Sequence, residues 1–134
     1  MNNFQRGEKL LSQAESISRE LTNVFERNLP NLVVRRAQEI VEISLKALFK
    51  MMGIEYPKVY DVGSLLEEVI KKRGIKTEGK ILEKLKEVSS YLARDRAPSF
   101  YFEKDYTLEQ ARCAKEDALG VLNFGKKITQ RIKS

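Results

Sequence analysis

The sequence predicts an all-α protein, an antiparallel up-and-down four-helix bundle with a short extra helix. Three observations lead there. The helix formers Ala, Leu, Glu, Lys, Gln and Arg dominate. Strand-like alternation of apolar and polar residues is nearly absent. Apolar residues recur instead at spacings of three and four, and no stretch is rich in the chain's three prolines or seven glycines.

The first helical segment is expected from Phe4 to Arg27. Leu10, Ala14, Ile17, Leu21 and Val24 form one stripe, with Glu15, Arg19, Glu20 and Glu26 on other faces. Asn28-Leu29-Pro30 ends it, since proline cannot continue a helix but suits the first turn of the next. The second segment is expected from Asn31 to Met52. Val33, Ala37, Ile40, Val41, Ser44, Leu45, Leu48 and Met51 cover most of its circumference, which marks the central helix of a bundle. Gly53 is the residue expected just past its end. Ile54 to Lys58 reads as an extended loop, because the residue before Pro57 avoids the helical region.

A short third segment follows, from Val62 to Arg73. Asp61 is its expected cap, and Ser64-Leu65-Leu66-Glu67 also fits a capping box. The fourth segment is expected from Thr77 to Ala93, with Ile81, Leu82, Leu85, Val88 and Leu92 facing inward. Arg94 to Tyr106 holds Pro98 and the rings of Phe100, Tyr101, Phe102 and Tyr106, and is expected to be the longest irregular stretch. Thr107-Leu108-Glu109-Gln110 is another capping box and opens the fifth segment. Its inner face is Ala111, Ala114, Ala118, Val121, Leu122, Gly125, Ile128 and Ile132. Lys126, Lys127, Arg131 and Lys133 place cations near the negative end of the helix dipole.

At 134 residues, 42% apolar and 33% charged, the chain has the size and composition of a single globular domain over 1–134. The net charge of +6 and the pI near 9.4 permit nucleic-acid, nucleotide or acidic-protein partners without demanding them. The single cysteine, Cys113, forms no internal disulfide and no multi-cysteine zinc site; it reads as a small packing residue. That usage suggests a reducing, cytoplasmic setting. Met1 to Leu10 lacks a signal-peptide hydrophobic stretch. The longest apolar segment, Ile40 to Met52, is interrupted by Glu42 and Lys46, so no membrane span is expected.

Much chemistry is excluded outright. The chain has no histidine. Ser-His, Cys-His and HExxH arrangements are therefore impossible. So is the Glu-x-x-His pattern of carboxylate-bridged metal bundles. Neither GxxxxGK[ST] nor GxGxxG occurs. No catalytic residue, metal or cofactor is expected. The carboxylate pair Glu67 and Glu68 fits the start of a helix; Glu39 and Glu42 share the second segment.

Gln38, Glu42 and Lys46 are four apart and lie along one helix face. They read as a hydrogen-bond and salt-bridge ladder facing another helix or a dimer partner, or as a polar cleft for a nucleotide or RNA backbone. Arg35 and Arg36 open the same helix. Antiparallel packing of the second and fourth segments would bring Arg94 and Arg96 beside them, near Phe100 and Tyr101. Guanidinium forks and aromatic faces suit phosphates and bases. The competing reading pairs these arginines with Asp95, Glu39 and Glu103 on an ordinary surface.

The stretch Gln38-Glu39-Ile40-Val41-Glu42-Ile43-Ser44-Leu45-Lys46-Ala47-Leu48 resembles the Gln-x-x-x-Glu-x-x-x-Lys-Ala-Leu signature of HEPN domains. Gly53, Pro57-Lys58, Tyr60-Asp61 and Leu65-Leu66 follow in the family's order and spacing. Arg96-Ala97-Pro98 is similar to its Arg-Tyr-Pro element, and Tyr106-Thr107-Leu108-Glu109-Gln110-Ala111 to its Tyr-Thr-x-Glu-x-Ala opening of the last helix. The resemblance covers Arg35 to Ile128. It implies a dimeric four-helix bundle, often the partner of a minimal nucleotidyltransferase in a two-component toxin–antitoxin module. It also makes Lys58, Tyr60 and Asp61 loop candidates. Some members are ribonucleases with an Arg-x(4–6)-His motif at the dimer cleft. Here Val59-Tyr60 replaces the family's threonine-histidine pair, and the ribonuclease histidine is absent. What remains expected is a non-catalytic homodimer that binds a nucleotidyltransferase and a nucleotide. The alternative is an RNA-binding module built on Arg35, Arg36, Arg94, Arg96 and Tyr101. A degenerate ribonuclease using Arg96 with Tyr60 or Tyr101 is the weakest reading.

Overall fold

A computed structural model describes residues 1–133. It holds α1 (Asn3–Glu26), α2 (Pro30–Met51), α3 (Gly63–Lys72), α4 (Gly79–Phe100) and α5 (Leu108–Lys133), and no strand among the described residues. The helices form a bundle organised around α2, which packs on α1, α4 and α5. Its Val33, Ala37, Ile40, Leu45, Ala47 and Leu48 are fully buried. The apolar coverage of α2 thus has its predicted consequence. By contrast, α5 touches α4 only sparsely, and α3 lies mainly against α4.

The ends of the helices follow local chemistry. Asn2 and Gln5 cap α1 reciprocally, an arrangement the sequence reading did not single out. Pro30 is the first residue of α2, as expected. The Thr107 and Gln110 side chains each take the other's backbone N–H, so the predicted box at α5 forms. Gly53 closes α2 at φ 72°, with Ile54 N–H donating to Phe49 C=O and Gly53 N–H to Lys50 C=O. That pairing satisfies carbonyls the helix leaves bare.

Several expectations need correcting. Helix α4 does not stop at Ala93 but runs on to Phe100, through Pro98. Proline removes one helix hydrogen bond, and this one falls in the last turn, where little ladder remains to be lost. The irregular stretch is therefore only the short turn after Phe100. That turn ends α4 with Phe102 at φ 54°, its neighbour Glu103 donating to Pro98 C=O. The Ser64 capping box does not form. Helix α3 begins at Gly63, so Ser64 lies inside it, and the Gly63 N–H is met by Ser89 Oγ at 3.2 Å and Asp61 Oδ1 at 3.4 Å. Cys113 is exposed rather than packed. It stands one position off the stripe of Ala111 and Ala114, which is enough to turn it outward on a helix.

Close approaches hold the helices in place. A Cβ on Gly7 would lie 2.7 Å from Ala47 O and 2.4 Å from Met51 Cγ, so only glycine lets α1 meet α2 here. A Cβ on Gly63 would come within 3.0 Å of Lys86 Cα. Asn31, buried at the start of α2, donates through Nδ2 to Lys104 C=O at 2.8 Å and Ser99 C=O at 3.3 Å. Its Oδ1 accepts from Tyr106 N–H at 3.1 Å. One amide thereby clamps the turn between α4 and α5.

Candidate functional site

The extra length of α4 and the Asn31 clamp deliver the end of α4 to the first turns of α2. Arg35, Arg94, Arg96, Tyr101, Phe100 and Tyr60 line one cavity there, of about 250 Å³. Four of the five predicted binding residues therefore share a pocket. Arg36 does not join them. It points along α1 and α2 instead, to Glu20 at 3.5 Å and Glu39 at 2.6 Å. Adjacent helix positions are about 100° apart, which separates Arg36 from Arg35.

Among the described residues, no carboxylate pairs with the guanidiniums of the pocket. Arg35 lies over the Phe100 ring at 3.7 Å from its centroid, and Arg96 over the Tyr60 ring at 4.1 Å. These stacks fix each planar cation without cancelling its charge. Arg35 Nε is buried without a hydrogen-bond partner in the described chain. Arg94 is exposed at the rim. Tyr101, 69% exposed, meets Phe100 edge to face with centroids 4.7 Å apart.

A polar ladder stands behind the pocket. Arg96 donates to Gln38 Oε1 at 3.0 Å, Gln38 Nε2 donates to Glu42 Oε1 at 2.9 Å, and Lys46 donates to Glu42 Oε2 at 2.8 Å. Gln38 is 1% exposed, and the Glu42 and Lys46 side chains are mostly covered. Each partner fixes the next. Glu42 accepts from the Gln38 amide nitrogen, so the amide oxygen faces Arg96 and holds it over Tyr60. Lys46 closes the other end, 5.4 Å from the Tyr56 ring. The predicted stripe thus spends its polar atoms within the chain, on Arg96 and on the α2–α3 loop.

The loop candidates part company. Tyr60 belongs to the pocket. Asp61 accepts from Ser89 Oγ at 2.8 Å and ties the loop to α4. Lys58 lines a separate cavity of about 310 Å³ with Asn3, Lys50 and Tyr56. On the far side of the Arg35 and Phe100 wall lies an apolar groove of about 450 Å³ between Leu29, Leu32, Phe102 and Tyr106. Asn31 is the positioning residue the sequence did not disclose. Polar residues are common near helix starts, and nothing local says what this one reaches.

The pocket can hold an anion between three guanidiniums and offer rings to a flat group beside it. The family model described as HEPN domain matches residues 8–128. No curated protein and no solved structure matches the chain.

Proposed function

The chain belongs to the HEPN domain family, and on that premise we infer that it is a non-catalytic member binding the phosphate of a nucleotide in the Arg35, Arg94 and Arg96 pocket. It acts as a single domain over 1–134, with its long helices antiparallel and up-and-down. It works as a dimer and as the partner of a minimal nucleotidyltransferase in a two-component module. The observation that carries the binding reading is the unneutralised guanidinium set, held by rings and by Gln38 rather than by carboxylates. The missing histidine supports a non-catalytic role.

Titration with fluorescent ATP tests the binding. Arg94→Ala with Arg35→Ala should weaken it by at least about tenfold, since charge-assisted bonds contribute roughly 1.5–3 kcal/mol each. Unchanged affinity removes this pocket from the reading. Light scattering tests the dimer, and co-expression with the neighbouring gene product tests the partner. A second reading, single-stranded RNA, is favoured by the exposed rings of Tyr101 and Phe102 beside the arginines. Its mark is preference for a short RNA over ATP, with affinity falling steeply as salt rises.

A further inference from the structure

A second surface lies away from this pocket, where α4 and α5 diverge. The slot there is closed at both ends. Tyr91 donates to Asp117 Oδ2 at 2.6 Å at one end, and Arg131 donates to Lys76 C=O at the other. From Asp117 to Arg131 a helix rises about 21 Å. Between these bridges opens a cavity of about 270 Å³ floored by Leu85, Val88 and Val121, with Ile81 and Phe124 at its lips. Ile81 is 42% exposed, a large aliphatic side chain left uncovered at the edge of the slot.

Gly120 stands in the middle of this slot, inside α5. A mid-helix glycine costs about 1 kcal/mol relative to alanine. Nothing in the fold requires it: its φ is not positive, and a Cβ added there would meet no atom within 4 Å. Gly7 and Gly63 differ, since each admits a neighbouring helix of the same chain. By the same logic, Gly120 leaves room for a backbone from outside.

The rim charges indicate which backbone. Each acid has a cation beside it, Asp117 facing Lys84 at 3.5 Å and Glu116 facing Arg112 at 2.7 Å, an arginine that Glu109 shares. Lys80 is exposed on the α4 side, and Lys127 is exposed one turn beyond Phe124 on α5. A second copy would bring the same surplus of lysines to the seam, in a chain already at +6. We propose that the α4–α5 slot docks an acidic amphipathic helix of a partner protein, apolar ridge inward, crossing closest at Gly120. This does not depend on what the arginine pocket binds.

The probes are two stapled helical peptides with the same leucine stripe at i, i+3, i+4 and i+7. One carries glutamates beside the stripe and the other lysines. Fluorescence anisotropy should show the glutamate peptide binding at least about tenfold more tightly, as a difference of some 1.4 kcal/mol requires. Gly120→Leu should raise the Tm by about 3 °C and abolish that binding. Lys80→Glu with Lys127→Glu should reverse the preference with the fold intact by circular dichroism. Nucleotide binding should stay unchanged in all of them. The proposal is overturned if neither peptide binds, if both bind alike, or if Gly120→Leu keeps its affinity. It is equally overturned if sedimentation shows self-association that Gly120→Leu removes, because the slot's occupant is then a second copy.

Discussion

Gln38 has one amide and two obligations, and it meets both because Glu42 decides which way the amide points. Gln38→Ala should therefore do more than create a small gap. It frees Arg96 and strips Glu42 of a donor, costing roughly 1–2 kcal/mol of stability, and it should weaken nucleotide binding several-fold without removing any group that touches the ligand. Denaturant titration and the fluorescent-ATP assay read the two effects separately. Phe102 makes the opposite case. Its φ of 54° is the left-handed conformation that helix ends usually give to glycine. Phe102→Gly should stabilise the chain by about 1 kcal/mol, read as a higher Tm, while removing a ring that is 72% exposed beside the arginine pocket. If the RNA reading holds, the same variant loses RNA affinity. The spacing of Gln38, Glu42 and Lys46 was legible in the sequence, since a period of four is a helix face. What the face looks onto was not, because the partners, Arg96 above all, lie far along the chain.

Among the elements, α3 is fastened most lightly. It rests on α4 through Gly63, through the Asp61–Ser89 bond and through Glu67, which Lys86 meets at 3.1 Å. The hydrogen bond from Lys86 holds the Glu67 carboxyl below the usual carboxylate range, and Lys71 adds to the effect. A carboxyl lowered on folding contributes stability above its unfolded pKa and loses it as pH falls through the folded value. The contact of α3 with α4 should thus be intact at neutral pH and loosen below about pH 4, where amide exchange in α3 should quicken ahead of α2. Glu67→Gln should remove that acid sensitivity. Gly7→Ala tests another junction. With backbone oxygen only 2.7 Å from the new Cβ, α1 must move off α2, at a cost of about 1–3 kcal/mol, visible as a drop in Tm. Element identity was readable from periodicity; the caps were a less even guide, since the Thr107 box forms and the Ser64 box does not. The end of α4 was not, because a proline one turn from a helix terminus carries the same local signal whether it stops the helix or sits inside its last turn.

On the scale of the whole molecule, the bundle was legible because a helix apolar on nearly every side can only be central, and α2 is. Less legible was the unequal packing. Stripes on α4 and α5 do not reveal that the two helices diverge, since the same residues would serve a closed seam. That Arg35 lies beside Arg94 and Arg96 was legible for an equally simple reason. Residues at the end of one helix and the start of the next but one meet when both cross the same core. A salt series checks the molecular charge argument: raising ionic strength should weaken ATP binding in the parent chain more than in Arg94→Ala, as expected when phosphate contacts displace counterions. Equal slopes would place the anion elsewhere.

The Asn31 clamp joins residues 68, 73 and 75 positions apart in the chain. Contacts of that span close long loops and reward the chain only after distant segments have been brought together. Each helix has its own caps and local bonds, so helical content should develop early in refolding. The ring-bearing turn, and with it the pocket, should assemble only after α2 and α4 have docked. A nascent or partly melted chain would then have its helices in place and still be unable to take up its ligand, so that ligand binding marks completed folding in a way that helicity does not.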